Sequence, residues 1–116
     1  MNKYDLKPLT VPLPKSNMRL IKLLNQKLTA LNVLGKFWLS KNLLLTNLNV
    51  PNALQMLEKH YQQVNDLAQS LRTVLRVLWR TMAQTIVTLI YQINDKCRIF
   101  CNEIALPLKS KLRQMS

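Results

Sequence analysis

Neither glycine nor proline occurs between Asn52 and Ala105, a run of 54 residues. These two residues oppose helix formation most strongly, and glycine is also what tight turns and bulges require. Leucine supplies 24 of the 116 residues and glycine only one. No segment shows the sustained alternation of apolar and polar residues that indicates an exposed strand. The sequence therefore predicts an all-α protein.

An apolar heptad runs along this stretch and then slips. The seam positions of the first register are Leu54, Leu57, Tyr61, Val64, Ala68, Leu71, Leu75, Leu78 and Met82. The pattern resumes four residues out of register, at Ile86, Ile90, Ile93, Cys97, Phe100 and Ile104. One unbroken helix would be roughly 80 Å long, and the slip favours a nearly straight helix passing several neighbours over a tight coiled coil. If this rod bends, we expect the bend near residue 65 or 94, where Asn-Asp pairs offer weak points.

Residues 1–16 contain three prolines, at positions 8, 12 and 14. Each proline fixes its own φ and moves the preceding residue out of the helical region, so this segment is predicted to be an extended arm. Leu9, Val11 and Leu13 alternate with proline or polar positions. One side of the arm could therefore lie in a groove between helices.

Residues 17–48 predict a pair of shorter helices. Spacings of three and four indicate one buried face, formed by Ile21, Leu24, Leu28, Leu31, Leu34 and Trp38. Gly35 is expected to kink or break this pair, and the next boundary lies at Asn49 and Pro51, a capping residue and a first-turn proline. We predict a helical hairpin or small bundle in which the pair packs on the long C-terminal helix. The helical domain would cover 17–106, and Pro107 would end it, leaving a frayed basic tail at 107–116.

Charge is distributed as unevenly as hydrophobicity. Seventeen Lys and Arg oppose five Asp and Glu, which gives a net charge of +12, and no acidic residue lies between Leu6 and Leu57. Such an excess attracts anionic lipid, acidic protein or nucleic acid. Arginines spaced four residues apart repel one another on a helix, so they favour a solvated or polyanion-facing surface. The candidate anion-facing residues are Lys15, Arg19, Lys22, Lys27, Arg72, Arg76 and Arg80.

A second candidate surface is the wide apolar face on both sides of the heptad slip. Its residues are Leu71, Leu75, Leu78, Trp79, Met82, Ile86, Ile90 and Ile93. A face this wide buries against two or more helices, or against something outside the chain. We therefore expect a homo-oligomer or a subunit of a larger complex.

Few residues are suited to catalysis or metal binding. His60, Cys97 and Cys101 lack the paired spacing of a zinc site, and the single glycine, Gly35, rules out a glycine-rich phosphate loop. The carboxylates are not paired as an acid and a base would be. We expect no enzymatic activity, no cofactor and no metal. The two cysteines are interpreted as buried thiols in a reducing, intracellular compartment, with an interchain disulfide as the alternative.

No segment has the length of a transmembrane helix. The longest uncharged part of the greasiest region, Thr81 to Asn94, is 14 residues, whereas a bilayer requires about 20. The N-terminus also lacks the apolar core of a secretory signal. The protein is therefore expected to be intracellular and, if it meets a membrane, peripheral to it.

Two classes of function follow. The first is a non-enzymatic basic helical scaffold or assembly protein that docks on an anionic surface, either a membrane face or an acidic protein partner. The second is a nucleic-acid-binding helical protein whose Arg and Lys stripes contact phosphates. The first is preferred because the sequence shows no zinc finger, basic-zipper cluster or aromatic platform.

Overall fold

The computed structural model describes residues 18–43 and 49–115, and this part of the chain is helical without any strand. Its helices are α1 (Met18–Leu43), α2 (Val50–Leu78), α3 (Gln84–Ile99) and α4 (Leu106–Met115). A π-helical segment, Phe100–Ala105, joins α3 to α4 without interruption. The predicted all-α class is confirmed. The predicted arm lies outside the described residues.

The helices form a small bundle. α2 packs along the whole run from α3 to α4, and α1 packs on α3 and the π-helical segment. Near the C-terminal end of α1, Trp38 hydrogen-bonds to His60 in the first half of α2. Leu20 at the start of α1 and Val74 at the end of α2 line the same groove. α1 and α2 are therefore antiparallel, and the predicted small bundle is confirmed.

The long C-terminal helix is not one rod, because the chain reverses between Leu78 and Ala83. The carbonyl oxygen of Leu78 accepts hydrogen bonds from the backbone N–H groups of Thr81 and Met82, both at 2.9 Å. The Thr81 hydroxyl donates to the same oxygen at 3.0 Å. Ala83 is extended (φ −62°, ψ 144°) and starts α3. The reversal falls where the heptad slips, so the slip marks two helices that fold back and bury both seams in one core.

The chain does not break near residues 65 and 94, since both positions lie inside continuous helices, and the reversal between Leu78 and Ala83 takes the place of the bends expected there. The Asp66 carboxylate accepts a hydrogen bond from the Gln62 amide at 2.9 Å, and Asp95 pairs with Arg98 at 2.9 Å. Both carboxylates are exposed and bond along their own helix. They therefore do not cap a new helix.

The N-terminal helical pair is also corrected, because α1 continues through Gly35 without a break. Gly35 is buried, and large apolar residues on both sides of it, Leu31 and Trp38, are buried on one continuous face. The cost of a glycine inside a helix is about 1 kcal/mol. Burial of several large side chains on one face exceeds that cost.

Pro107 does not end the helix, and the predicted frayed tail is instead α4. A proline ring clashes with the carbonyl four residues earlier in a regular α-helix. Here the turn before it is wider, because the Leu106 N–H donates to the Cys101 carbonyl five residues back. Leu108 and Leu112 of α4 are buried, and burying a leucine contributes about 1.5–3 kcal/mol. That packing holds α4 in place.

Candidate anionic-surface docking site

The reversal between α2 and α3 exposes consecutive apolar side chains at one end of the bundle. Val77 is 71% exposed, Leu78 44% and Trp79 58%. They lie beyond the point at which α2 contacts the core, because the last fully buried residue of that helix is Leu71 and its last partly buried core contacts are Val74 and Leu75. Charged neighbours, Arg76 and Arg80, flank them on both sides and are exposed as well.

A shallow hollow of about 400 Å³ adjoins these residues. Its lining comes from two helices: Arg72, Leu75, Arg76 and Trp79 of α2, and Tyr91 of α3. Tyr91 is 58% exposed, so the lining of the hollow includes two exposed aromatic side chains and two arginines. We name the basic corner as the set Arg72, Arg76, Val77, Leu78, Trp79, Arg80 and Tyr91.

Sequence reasoning missed Tyr91, although it found the other members of the hollow from α2. Tyr91 lies off the heptad seam, on the solvent face of α3. Only the chain reversal brings it beside Trp79, twelve residues earlier. Hydrophobic periodicity cannot predict such a pair, because the periodicity was interpreted as that of one continuous helix.

The arginines of the basic corner are not neutralised within the described part of the chain. No salt bridge joins Arg72, Arg76 or Arg80 to a carboxylate there. The ion pairs of that part lie elsewhere, as in Glu58 with Lys109 at 3.0 Å. Among the described residues, the corner therefore carries an excess of positive charge.

Two of the cations predicted on α1 reach the same end of the bundle. Arg19 and Lys22 are exposed in the first turns of α1, and α1 is antiparallel to α2, so they lie towards the C-terminal end of α2. Lys27 is exposed farther along α1, on the lining of the groove between the two helices. Lys15 lies outside the described residues.

The predicted apolar docking face is divided by the fold. Four of its residues, Leu71, Ile86, Ile90 and Ile93, are buried in the core and are not open to a partner. Two are partly buried, Leu75 and Met82. Leu78 and Trp79 alone are exposed, and both belong to the basic corner.

The opposite end of the bundle is closed by polar contacts within the chain. The indole N–H of buried Trp38 donates to Nδ1 of His60 at 2.9 Å, which requires the imidazole to be neutral at that nitrogen. Burial lowers the pKa of His60, and the nearby positive charge of Lys59 lowers it further. His60 therefore has a structural partner, as a residue at the boundary of the core.

Cys97 and Cys101 are free thiols inside the core. Burial raises the pKa of the Cys97 thiol to about 12, and burial also raises the pKa of Cys101. Neither sulfur is exposed for an interchain disulfide in this fold. The described residues contain no group of three or more His, Cys, Asp and Glu side chains that could hold a metal ion.

No protein-family model, curated protein or solved structure matches this chain. Among the helices of residues 18–43 and 49–115, none combines the length and the apolar character needed to cross a bilayer.

Proposed function

We propose that this protein is a non-enzymatic helical scaffold that docks on membranes rich in anionic lipid through the basic corner. The observation that carries the proposal is the exposure of Val77, Leu78 and Trp79 between arginines that pair with no carboxylate of residues 18–43 and 49–115. Tryptophan is enriched at the headgroup level of membranes. Apolar side chains beside cations are the combination that interfacial membrane proteins use.

The arginines and the apolar side chains of the basic corner both contribute to membrane binding. Each Lys or Arg near an anionic surface supplies about 1 kcal/mol, and arginine can also donate two parallel hydrogen bonds to a phosphate. Arg19 and Lys22 face the same end and add to the attraction. Insertion of Trp79 and its neighbours then removes apolar surface from water.

A membrane fits the basic corner better than an acidic protein does, because the apolar residues project from the end of a helix. A protein partner would need a pocket shaped for that projection. A lipid headgroup layer accommodates it without one. We further propose that self-association or a larger complex builds on this docking, as the leucine content favours.

Cosedimentation with vesicles tests the proposal directly. The protein should bind vesicles of phosphatidylserine and phosphatidylcholine and ignore phosphatidylcholine alone. Trp79→Ser should weaken binding about tenfold, because one large apolar contact is lost. Leu106→Ser is the matched control, since Leu106 is similarly exposed on α4, away from the basic corner. Equal loss in both variants, or binding to neither vesicle, would refute the proposal.

Nucleic-acid binding remains the second candidate, and one observation favours it. Trp79 and Tyr91 line the same hollow as Arg72 and Arg76, and proteins bind single strands by stacking bases on aromatic rings and contacting phosphates with basic side chains. Titration with single-stranded RNA at low salt separates the two functions. Tight RNA binding that Tyr91→Ala abolishes, without any vesicle binding, would favour this candidate.

A further inference from the structure

An apolar groove of about 640 Å³ lies open between α1 and α2. It exists because α1 packs on α3 and the π-helical segment, not along α2. Leu23 and Leu34 of α1 face Leu67 and Val74 of α2 across it, and Ile90 of α3 contributes to its lining. Leu23 is half exposed as a result. This surface is separate from the basic corner.

We propose that the groove is the docking site of this chain's own N-terminal arm, residues 1–16, through the stretch from Pro8 to Pro14. Position is the first argument. α1 begins at Met18, and Leu20, two residues later, already lines the groove. The arm therefore ends at the mouth of the groove. To run along the groove, the arm must turn back on α1, and only the residues between Pro14 and Met18 are needed for that turn. They include Ser16 and Asn17, both of which are common in turns.

The chemistry of the arm is the second argument. The stretch from Pro8 to Pro14 carries no charge, and three of its seven residues are prolines. A groove between two helices offers few backbone acceptors, so a buried N–H would lack a partner there. Proline has no N–H. Leu9, Val11 and Leu13 supply the apolar side chains.

Length is the third argument. Along α1 the groove extends from Leu20 to Leu34, which is roughly 21 Å at the helical rise per residue. In the extended conformation that proline favours, the stretch from Pro8 to Pro14 covers roughly 19 Å. The charged lining residues, Lys27 and Asp66, cancel each other, which suits an uncharged occupant better than the acidic partner that the basic corner would attract.

Thiol labelling of the full chain tests this inference without reference to membrane binding. Ser70 lines the groove and is exposed, so Ser70→Cys places a nearly isosteric reporter there. Its rate of modification by a maleimide is compared between the native arm and an arm with Leu9, Val11 and Leu13 all changed to Asp. Ser110→Cys on α4 is the control, because Ser110 is exposed outside the groove. The native cysteines are buried and react slowly.

The native arm should slow labelling at position 70 about tenfold or more, in proportion to the time that the groove is covered, and should not change labelling at position 110. Identical rates at position 70 with both arms would overturn the inference. Slow labelling that is independent of the arm but is lost on dilution would overturn it too, and would assign the groove to a second copy. Circular dichroism of every variant establishes that the bundle is folded.

Discussion

The two ends of this bundle differ in the pairing of their charged side chains and in the burial of their tryptophans. At one end, Trp38 is buried and hydrogen-bonded to His60, and Glu58 pairs with Lys109 across α2 and α4. At the other end, no carboxylate of the described residues pairs with the arginines of the basic corner, and Trp79 is exposed. The comparison teaches that Trp38, His60 and Glu58 have partners within the chain at the closed end, whereas the charged and apolar side chains of the basic corner are exposed.

Leu112→Ala should have the largest effect, and on stability alone. Leu112 is completely buried in α4, and truncating a buried leucine costs about 2–5 kcal/mol because of lost transfer energy and a residual cavity. Urea unfolding of Leu112→Ala measures the loss. Val77→Ala, which trims an exposed residue of the basic corner, should stay within about 0.5 kcal/mol. If the two variants were equally stable, α4 would not be part of the core.

Arg76→Gln should have the next largest effect, and on binding alone. Removal of one charge from the basic corner should cost about 1 kcal/mol of vesicle affinity, which is roughly fivefold. Lys59→Gln is the matched control, because Lys59 is exposed on the same helix towards the closed end. Cosedimentation at two salt concentrations measures both variants. A similar loss for Lys59→Gln would mean that total charge matters and that the basic corner has no special role.

Acidification should weaken the closed end through His60. Because burial lowers its pKa from the ordinary 6.5, the folded protein binds this proton less readily than the unfolded chain. The hydrogen-bond contribution, about 0.5–1.5 kcal/mol, is present above pH 6.5 and declines as the pH falls through the lowered pKa. Urea unfolding measured from neutral pH down to about pH 5 tests this. His60→Gln should abolish this dependence of the free energy of unfolding on pH. A pH dependence that persists in the variant would have to come from another titrating group.

Glu58→Gln should have the smallest effect. The hydrogen bond and the charge of Lys109 lower the pKa of the Glu58 carboxyl, with a further contribution from Arg113. Its stabilisation is therefore present above the ordinary value of 4.5 and is lost only below that. Glu58 is exposed and Lys109 is partly exposed, and ion pairs open to solvent contribute little. Unfolding curves of Glu58→Gln and the native chain should converge in acid, and a difference that persists there would exclude this ion pair as its source.

The sequence predicted the core well, because burial follows periodicity. Leu57 and Val64 of the first register and Ile93 and Phe100 of the second are buried. The start of α2 after Asn49 also follows the prediction, since a proline in the first turn is a strong local signal.

The basic corner could be predicted only in part. No glycine or proline marks the turn that follows α2. The turn is instead stabilised by hydrogen bonds to the Leu78 carbonyl, including one from Thr81. Threonine occurs too often inside helices for its presence to predict the end of α2. The heptad slip was the available signal, and it was interpreted as a straight helix. The arginines were found from their spacing, whereas Tyr91 needed the tertiary structure.

The π-helical segment has a consequence for how the length of this chain can change. Wider turns use more residues to advance the same distance, so Phe100–Ala105 carries surplus chain relative to a regular helix. Deleting one residue there would restore regular turns and leave α4 facing the core, because the wide turns rotate less per residue than the roughly 100° of an α-helix. The regular turns would, however, press the Pro107 ring against the carbonyl four residues earlier. A deletion in this segment is therefore tolerated only together with replacement of Pro107.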